Sequence, residues 1–259
     1  MLCQADNMVF LDMAETLGID IGGSGIKGAL VDSASGELSS DRLRIPTPKP
    51  ATPSAVAETV RQLVSELDHS GPVGCCFPTI VVDGVAKSAS NMGEDWRNLA
   101  VDETFSAATD LPFTVLNDAD AAGMAEMRLG AGVELAGLVI TLTVGTGIGS
   151  ALFYRGQLIP NLELGHMAGK GGISIEKWAS DRARKDEDLS WEEWGARFDA
   201  FINRAARVCS PDHFILGGGV SKKYDKFRDV LTVATPIHLA RFRNNAGIIG
   251  AAMAVVATQ

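Results

Sequence analysis

The sequence predicts an α/β protein built from two lobes, and three observations carry that expectation. From Thr16, "TLGIDIGGSGIKGALVD" reads as an apolar strand, a Gly-rich turn and a second apolar strand, followed by a small turn at Ser35-Gly36 and a third strand in "GELSSDRLRIPT". From Gly137, "GLVITLTVGTGIGSALFYRGQLI" repeats that meander, with its small turn at Arg155-Gly156. The spacing between the two copies suits one lobe each within a chain of 259 residues.

Gly23 to Gly28 spells G-x-G-x-x-G, the fingerprint of dinucleotide-binding proteins. That use requires a helix after the glycines, so that a pyrophosphate meets its N-terminus. Ala29, Leu30 and Val31 instead run at once into the turn residues from Asp32 to Gly36. The glycines therefore join two strands, which argues against a dehydrogenase. No G-x-x-x-x-G-K-[ST] phosphate loop occurs in the chain.

"PTPKPATP", from Pro46, is a proline-punctuated loop, and "SAVAETVRQLVSELDHSG" has helical spacing with Ser54 as its cap and Gly71 as its end. "PVGCCFPTIVVDGVAKSAS" returns to strand with a hairpin turn at Asp83-Gly84. "FTVLND" is a buried strand running into the helix "ADAAGMAEMRLGAG", which stops at Gly130. Later come the amphipathic helix "SWEEWGARFDAFINRAARVCS", a strand with a third Gly-rich turn in "FILGGGVSKK", and a small-residue helix in "NNAGIIGAAMAVVA".

An apolar share of 46% with 21% charged residues is the balance of an ordinary globular protein. A formal charge of −9 excludes nucleic acid and anionic membrane as general partners, so a polyanion would need a local basic patch. Cys3, Cys75, Cys76 and Cys209 lack disulfide-framework and zinc spacing, and read as reduced thiols of a cytoplasmic protein. Residues 1–14 read as a loose extension without the basic start of a signal peptide, and no stretch is apolar enough to span a bilayer.

Gly-rich turns between paired strands can aim several backbone N–H groups at one anion, and two of them across a cleft would hold a chain of phosphates. As ordinary hairpins they would need the glycines only for their backbone freedom. The set "DIGGSGIKGA", "NDADAAG", "TVGTGIGSALF", "ELGHM", "IEKWAS" and "ILGGGVSKK" resembles the ROK family of sugar kinases, from about Leu17 to Ala257. "GGSGIK", "SWEEW", "PDHFILGGGVSKKYDKF" and "RNNAGIIGAA" are similar to its bacterial members that phosphorylate glucose with inorganic polyphosphate. The resemblance implies a two-lobed actin-like (ribonuclease H-like) fold with a sugar cleft between the lobes, in a protein that is usually a homodimer. The lobes would be residues 15–118 with 246–259, and residues 119–245.

The resemblance also implies roles for residues. Asp118 would be the base that takes the proton of the sugar 6-hydroxyl, although a helix N-cap is its plain alternative, a job that Asn117 or Asp120 could also do. Asn91, Asn117, Glu163, His166 and Glu176 would bind sugar hydroxyls, whereas Asp120 would be structural. In isolation Glu163 and His166, three apart, would suggest half a metal site. Asp20 would orient Mg²⁺, through water, near the donor phosphates, and Lys27 would meet a phosphate. Gly22, Gly23, Ser24 and Gly25, with Gly145, Thr146 and Gly147, would supply an N–H cradle. The segment after His166, "MAGKGGISIEKWAS", lacks the cysteines with which many ROK members bind zinc, so no structural zinc is expected.

A long polyphosphate needs cations beyond the cleft. Candidates are Lys222, Lys223 and Lys226 after the Gly218-Gly219 turn, and Arg182, Arg184 and Lys185, each cluster also readable as a solvated face. The turn at Gly218 suits either polyphosphate or ATP. Met92 and Gly93 depart from the polyphosphate-using subgroup and leave both glucose and mannose open as acceptors. A kinase using only ATP is the nearer alternative. A non-catalytic sugar sensor is the further one, with about fifteen residues before "GIDIGG", too few for a helix-turn-helix domain.

Overall fold

A computed structural model of the chain describes residues 15–89 and 92–257. The first half begins with β1 (Glu15–Gly22), β2 (Gly25–Asp32) and β3 (Leu43–Ile45), followed by α1 (Pro53–Glu66) and β4 (Val73–Phe77). A small hairpin of β5 (Val81–Val82) and β6 (Val85–Ala86), α2 (Val101–Thr109) and β7 (Phe113–Asn117) complete it. Then come α3 (Asp118–Leu129), β8 (Leu138–Val144), β9 (Ile148–Tyr154) and β10 (Gln157–Ile159). The rest is α4 (Glu176–Ala179), α5 (Asp181–Asp186), α6 (Trp191–Cys209), β11 (His213–Gly218), β12 (Ile237–Leu239) and α7 (Ala246–Ala257).

The two five-stranded sheets have one topology. Their orders are β3-β2-β1-β4-β7 and β10-β9-β8-β11-β12, so each is an antiparallel meander whose first strand continues into two parallel neighbours. The repeated sequence pattern is thus a repeated fold unit, and its glycines do join strand to strand: no helix follows Gly28. Asp83 and Gly84 both adopt left-handed backbone (φ 49° and 74°), as a two-residue hairpin turn requires.

Each sheet is covered on its outer face. Trp96, Phe77 and Phe105 cluster with buried α1 residues such as Val60 and Leu63 on the first, and Trp194, Phe198 and Phe227 with β8 and β11 on the second. Each such large side chain contributes roughly 1.5–3 kcal/mol through burial. The inner faces meet through two helices. α7 lies across β1, β4 and β7, α3 lies against β8 and β9, and the helices pack on each other. This approach is close because of glycine: a Cβ at Gly74 would collide with the Ala251 carbonyl, and one at Gly250 with that of Ala121.

Four local expectations are corrected. α1 is capped by the Thr52 hydroxyl, which accepts from the Ala55 N–H, because Pro53 is suited to the first helical position. It ends at Glu66, not Gly71, with Asp68 in left-handed backbone (φ 48°). The third strand shrinks to Leu43–Ile45, because the Ser40 hydroxyl takes the Leu30 N–H that a longer strand would have bonded. β7 is only half-buried up to Leu116, being an edge strand. The loose extension read in residues 1–14 lies outside the described residues, and no described helix is long and apolar enough to cross a membrane.

Candidate active site

Two cavities of about 630 and 640 Å³ open between the sheets, and both are lined by Asp118. Asp118 begins α3, directly after β7, but it is not the cap. The Asn117 side chain accepts from the N–H groups of Ala119 and Asp120 and donates to the Thr79 carbonyl. That leaves the Asp118 carboxylate free to point into the cleft. Its surface is open to solvent in the cleft, yet the protein packed around it, with the charge of Asp20 next, pushes its pKa up to about 6. N–H groups at the start of α3 hold the rise in check.

The first cavity is basic on one side and glycine-rich on the other. Asp20 and Lys27 face each other across β1 and β2, and Lys27 Nζ donates to Asp20 Oδ2 at 2.7 Å. Cys76, buried beneath them, sits with its Sγ 3.6 Å from Asp20 Oδ1. Gly22 and Gly23 line this cavity with Gly145, Gly217 and Gly218, whereas Ser24, Gly25 and Gly219 do not. The turn at Ser24 is braced instead, since Arg44 donates to its carbonyl at 2.7 Å. Arg42, Arg44 and Arg243 also line the cavity, and the sequence reading overlooked all three. They come from separated segments, and only their shared position distinguishes them from other surface arginines.

The second cavity is acidic and amide-lined, with Asn117, Glu163, His166 and Glu176 around Asp118, and Gly145, Thr146 and Gly147 along one wall. Glu163 precedes a single 3-10 turn, Leu164–His166, and Ser150 on β9 pins that turn by accepting from the Leu164 N–H and donating to the Leu162 carbonyl. His166 Nδ1 lies 3.9 Å from Glu163 Oε2, too far for a hydrogen bond, so both side chains remain available to a third group. Burial raises the Glu163 pKa, opposed by His166. Thr79 and Ser88, hydrogen-bonded to each other, add hydroxyls that the sequence reading missed. Asn91 lies outside the described residues.

Asp120 faces another task. Its Oδ2 accepts from the Asn161 N–H at 2.8 Å, and the Asn161 amide bonds both backbone groups of Val81, tying the second half of the chain to the first. Burial pushes its pKa up to about 7. Of the lysines, Lys222 lines a smaller side cavity and Lys223 lines none of the three cavities described here. Arg184 and Lys185 are both committed to Asp181, and Arg184 also lies over the Trp191 ring.

A cleft between duplicated α/β halves, with one carboxylate where an anion-suited cavity meets a hydroxyl-suited one, defines a phosphotransferase of the actin-like fold. The chain belongs to the ROK family, whose sequence model matches residues 16–175. It is 44% identical over 241 residues to a polyphosphate glucokinase of Mycobacterium tuberculosis, covering 93% of this chain and 91% of the relative. The inorganic polyphosphate/ATP-glucomannokinase of Arthrobacter sp. strain KM superimposes with a TM-score of 0.90 at 44% identity, covering 95% of this chain and all of that one (100%). A ROK glucokinase of Streptomyces griseus, solved with glucose and AMPPNP, shares the fold at 24% identity (TM-score 0.78, 92% and 98% covered).

Proposed function

We propose that the protein transfers the terminal phosphoryl group of inorganic polyphosphate to the 6-hydroxyl of glucose, with ATP as a second donor. The observation that carries this reading is the sharing of Asp118 by the two cavities. Glucose lies in the acidic cavity, where Asn117, Glu163, His166 and Glu176 meet its hydroxyls. The donor lies in the basic cavity, its phosphates against Lys27 and the glycine turns.

Asp118 accepts the proton of the 6-hydroxyl as that oxygen bonds to phosphorus. The phosphorus–oxygen bond to the next phosphate breaks, and the shortened donor leaves with the electron pair. Mg²⁺ fits this site. A single, partly exposed carboxylate, Asp20, stands at the donor side, held by Lys27. That suits an ion which keeps its waters and takes most of its ligands from phosphates. When bound, it would offset phosphate charge.

The lobes are residues 15–118 with 246–259, and residues 119–245, a division supported by α7 packing on the first sheet and α3 on the second. A cytoplasmic homodimer belongs to the same reading, supported by the unpaired Cys75 and Cys76 and by exposed Ile159 on the edge strand β10; sedimentation tests the dimer.

The deciding experiment measures glucose 6-phosphate formation with Mg²⁺, offering polyphosphate or ATP separately to glucose and then to mannose. Turnover with polyphosphate is expected. Turnover with ATP alone would overturn the donor assignment, and silence with both would favour a sugar sensor.

A further inference from the structure

The basic cavity does not end at the cleft. Arg42 and Arg243 line both it and a smaller side cavity of about 390 Å³, whose wall also includes Lys222. The three cations come from separate segments: the approach to β3, the turn before α7, and the 3-10 helix after β11.

The turn is built to hold its place. The buried Glu126 carboxylate accepts from the N–H groups of Arg241 and Phe242 at 2.9 and 2.8 Å, and Arg42 Nη1 donates to Asn245 Oδ1 at 3.0 Å. Between these anchors Arg243 adopts left-handed backbone (φ 53°), which costs about 1 kcal/mol for a residue with a Cβ. Charge balance is the second observation. Arg61, Arg97, Arg184, Arg197 and Arg228 have a carboxylate partner and the other described arginines do not, so what sets Arg42, Arg243 and Lys222 apart is that they share one cavity wall. Among the described residues Arg42, Arg243 and Lys222 pair with none, in a protein of net charge −9.

We infer that this side cavity is a second donor subsite, which takes the distal phosphates of a linear inorganic polyphosphate while its terminal phosphate sits at Asp118. The inference rests on the donor assignment above, which supplies the chain entering the track. A nucleoside triphosphate or tripolyphosphate is too short to use the track fully, so the site discriminates by chain length.

The test compares Arg42→Gln, Arg243→Gln and Lys222→Gln with the unaltered protein, using ATP, tripolyphosphate and long-chain polyphosphate, with circular dichroism to establish folding. In Lys222→Gln, which alters the side cavity alone, KM for the long chain should rise about tenfold and that for the short donors much less, whereas Arg42→Gln and Arg243→Gln, which also line the donor cavity, should raise KM for every donor and most for the long chain. The salt slope of long-chain binding, followed by anisotropy of labelled polyphosphate, should fall by about one per removed cation. Equal rises for all donors, or none for the long chain, would overturn the inference. If the unaltered protein turns over ATP alone, the donor assignment fails by itself. Long-chain binding that the variants lose would still support the subsite, and no binding would refute it. Single-stranded RNA of equal charge competing equally would refute a site for phosphate chains.

Discussion

The two sheets share one strand order, yet their Gly-rich turns differ in chemistry. The second residue before the turn glycine is Asp20 in the first copy and Thr143 in the second, and their cross-strand partners are Lys27 and Gly149. The first turn thus carries an ion pair into the cleft, and the second offers neutral hydroxyl and backbone. The inner faces differ as well. In the first half the glycines Gly18 and Gly74 are in the sheet, where α7 presses its backbone against them. In the second, Gly123 is on the helix, facing Thr141 and Phe153 of the sheet. A duplicated frame fixes where strands and turns go, while single substitutions within it decide which half handles charge.

The largest expected effect lies where the halves meet. Asp118→Asn should lower kcat by about 10²–10⁴-fold, the usual worth of a positioned base, with glucose affinity by calorimetry little changed. Unchanged turnover would remove Asp118 from the chemistry. Next, Asp20→Asn should cost about 10²-fold in kcat, in the range of a lost electrostatic partner, whereas Thr143→Val should stay within several-fold. Similar losses at both positions would erase the contrast between the turns.

The packing contrast predicts a stability difference. Gly74→Ala sets a Cβ against a backbone carbonyl that cannot yield, and should cost roughly 1–3 kcal/mol in urea unfolding. Gly123→Ala meets the buried Phe153 ring and Thr141 hydroxyl, side chains rather than backbone, and gains about 1 kcal/mol of helix propensity, so it should cost less than Gly74→Ala. The pH profile is the mildest test. The Asp118 pKa is raised, and the base must be ionised to act, so kcat/KM should fall as pH drops through about 6, tenfold per unit below it. A profile flat down to pH 5 would contradict the assignment.

Much of the fold was legible because strand meanders and tight turns are local. "GIDIGGSGIKGALVD" and "TLTVGTGIGSALF" each specify two strands through alternation and turn glycines, without help from distant residues. The helix after "TVLND" was legible for the same reason. Its cap was left open among three neighbouring residues, because Asn and Asp are near-equal caps, and only the Thr79 carbonyl selects Asn117. Ser40 shortened a strand through a bond ten residues away in the chain. Arg42, Arg44 and Arg243 escaped notice because nothing local separates a cavity-facing arginine from a solvated one.

By itself, then, the sequence determined the repeated strand frame, the strand-to-strand role of the glycines and the residues able to do acid–base and phosphate chemistry. Each depends on short-range periodicity and side-chain type. The tertiary structure alone decided which carboxylate is free, which cations share a cavity and how closely α7 approaches the first sheet. Those outcomes depend on distances between residues far apart in the chain, and no local pattern encodes such distances.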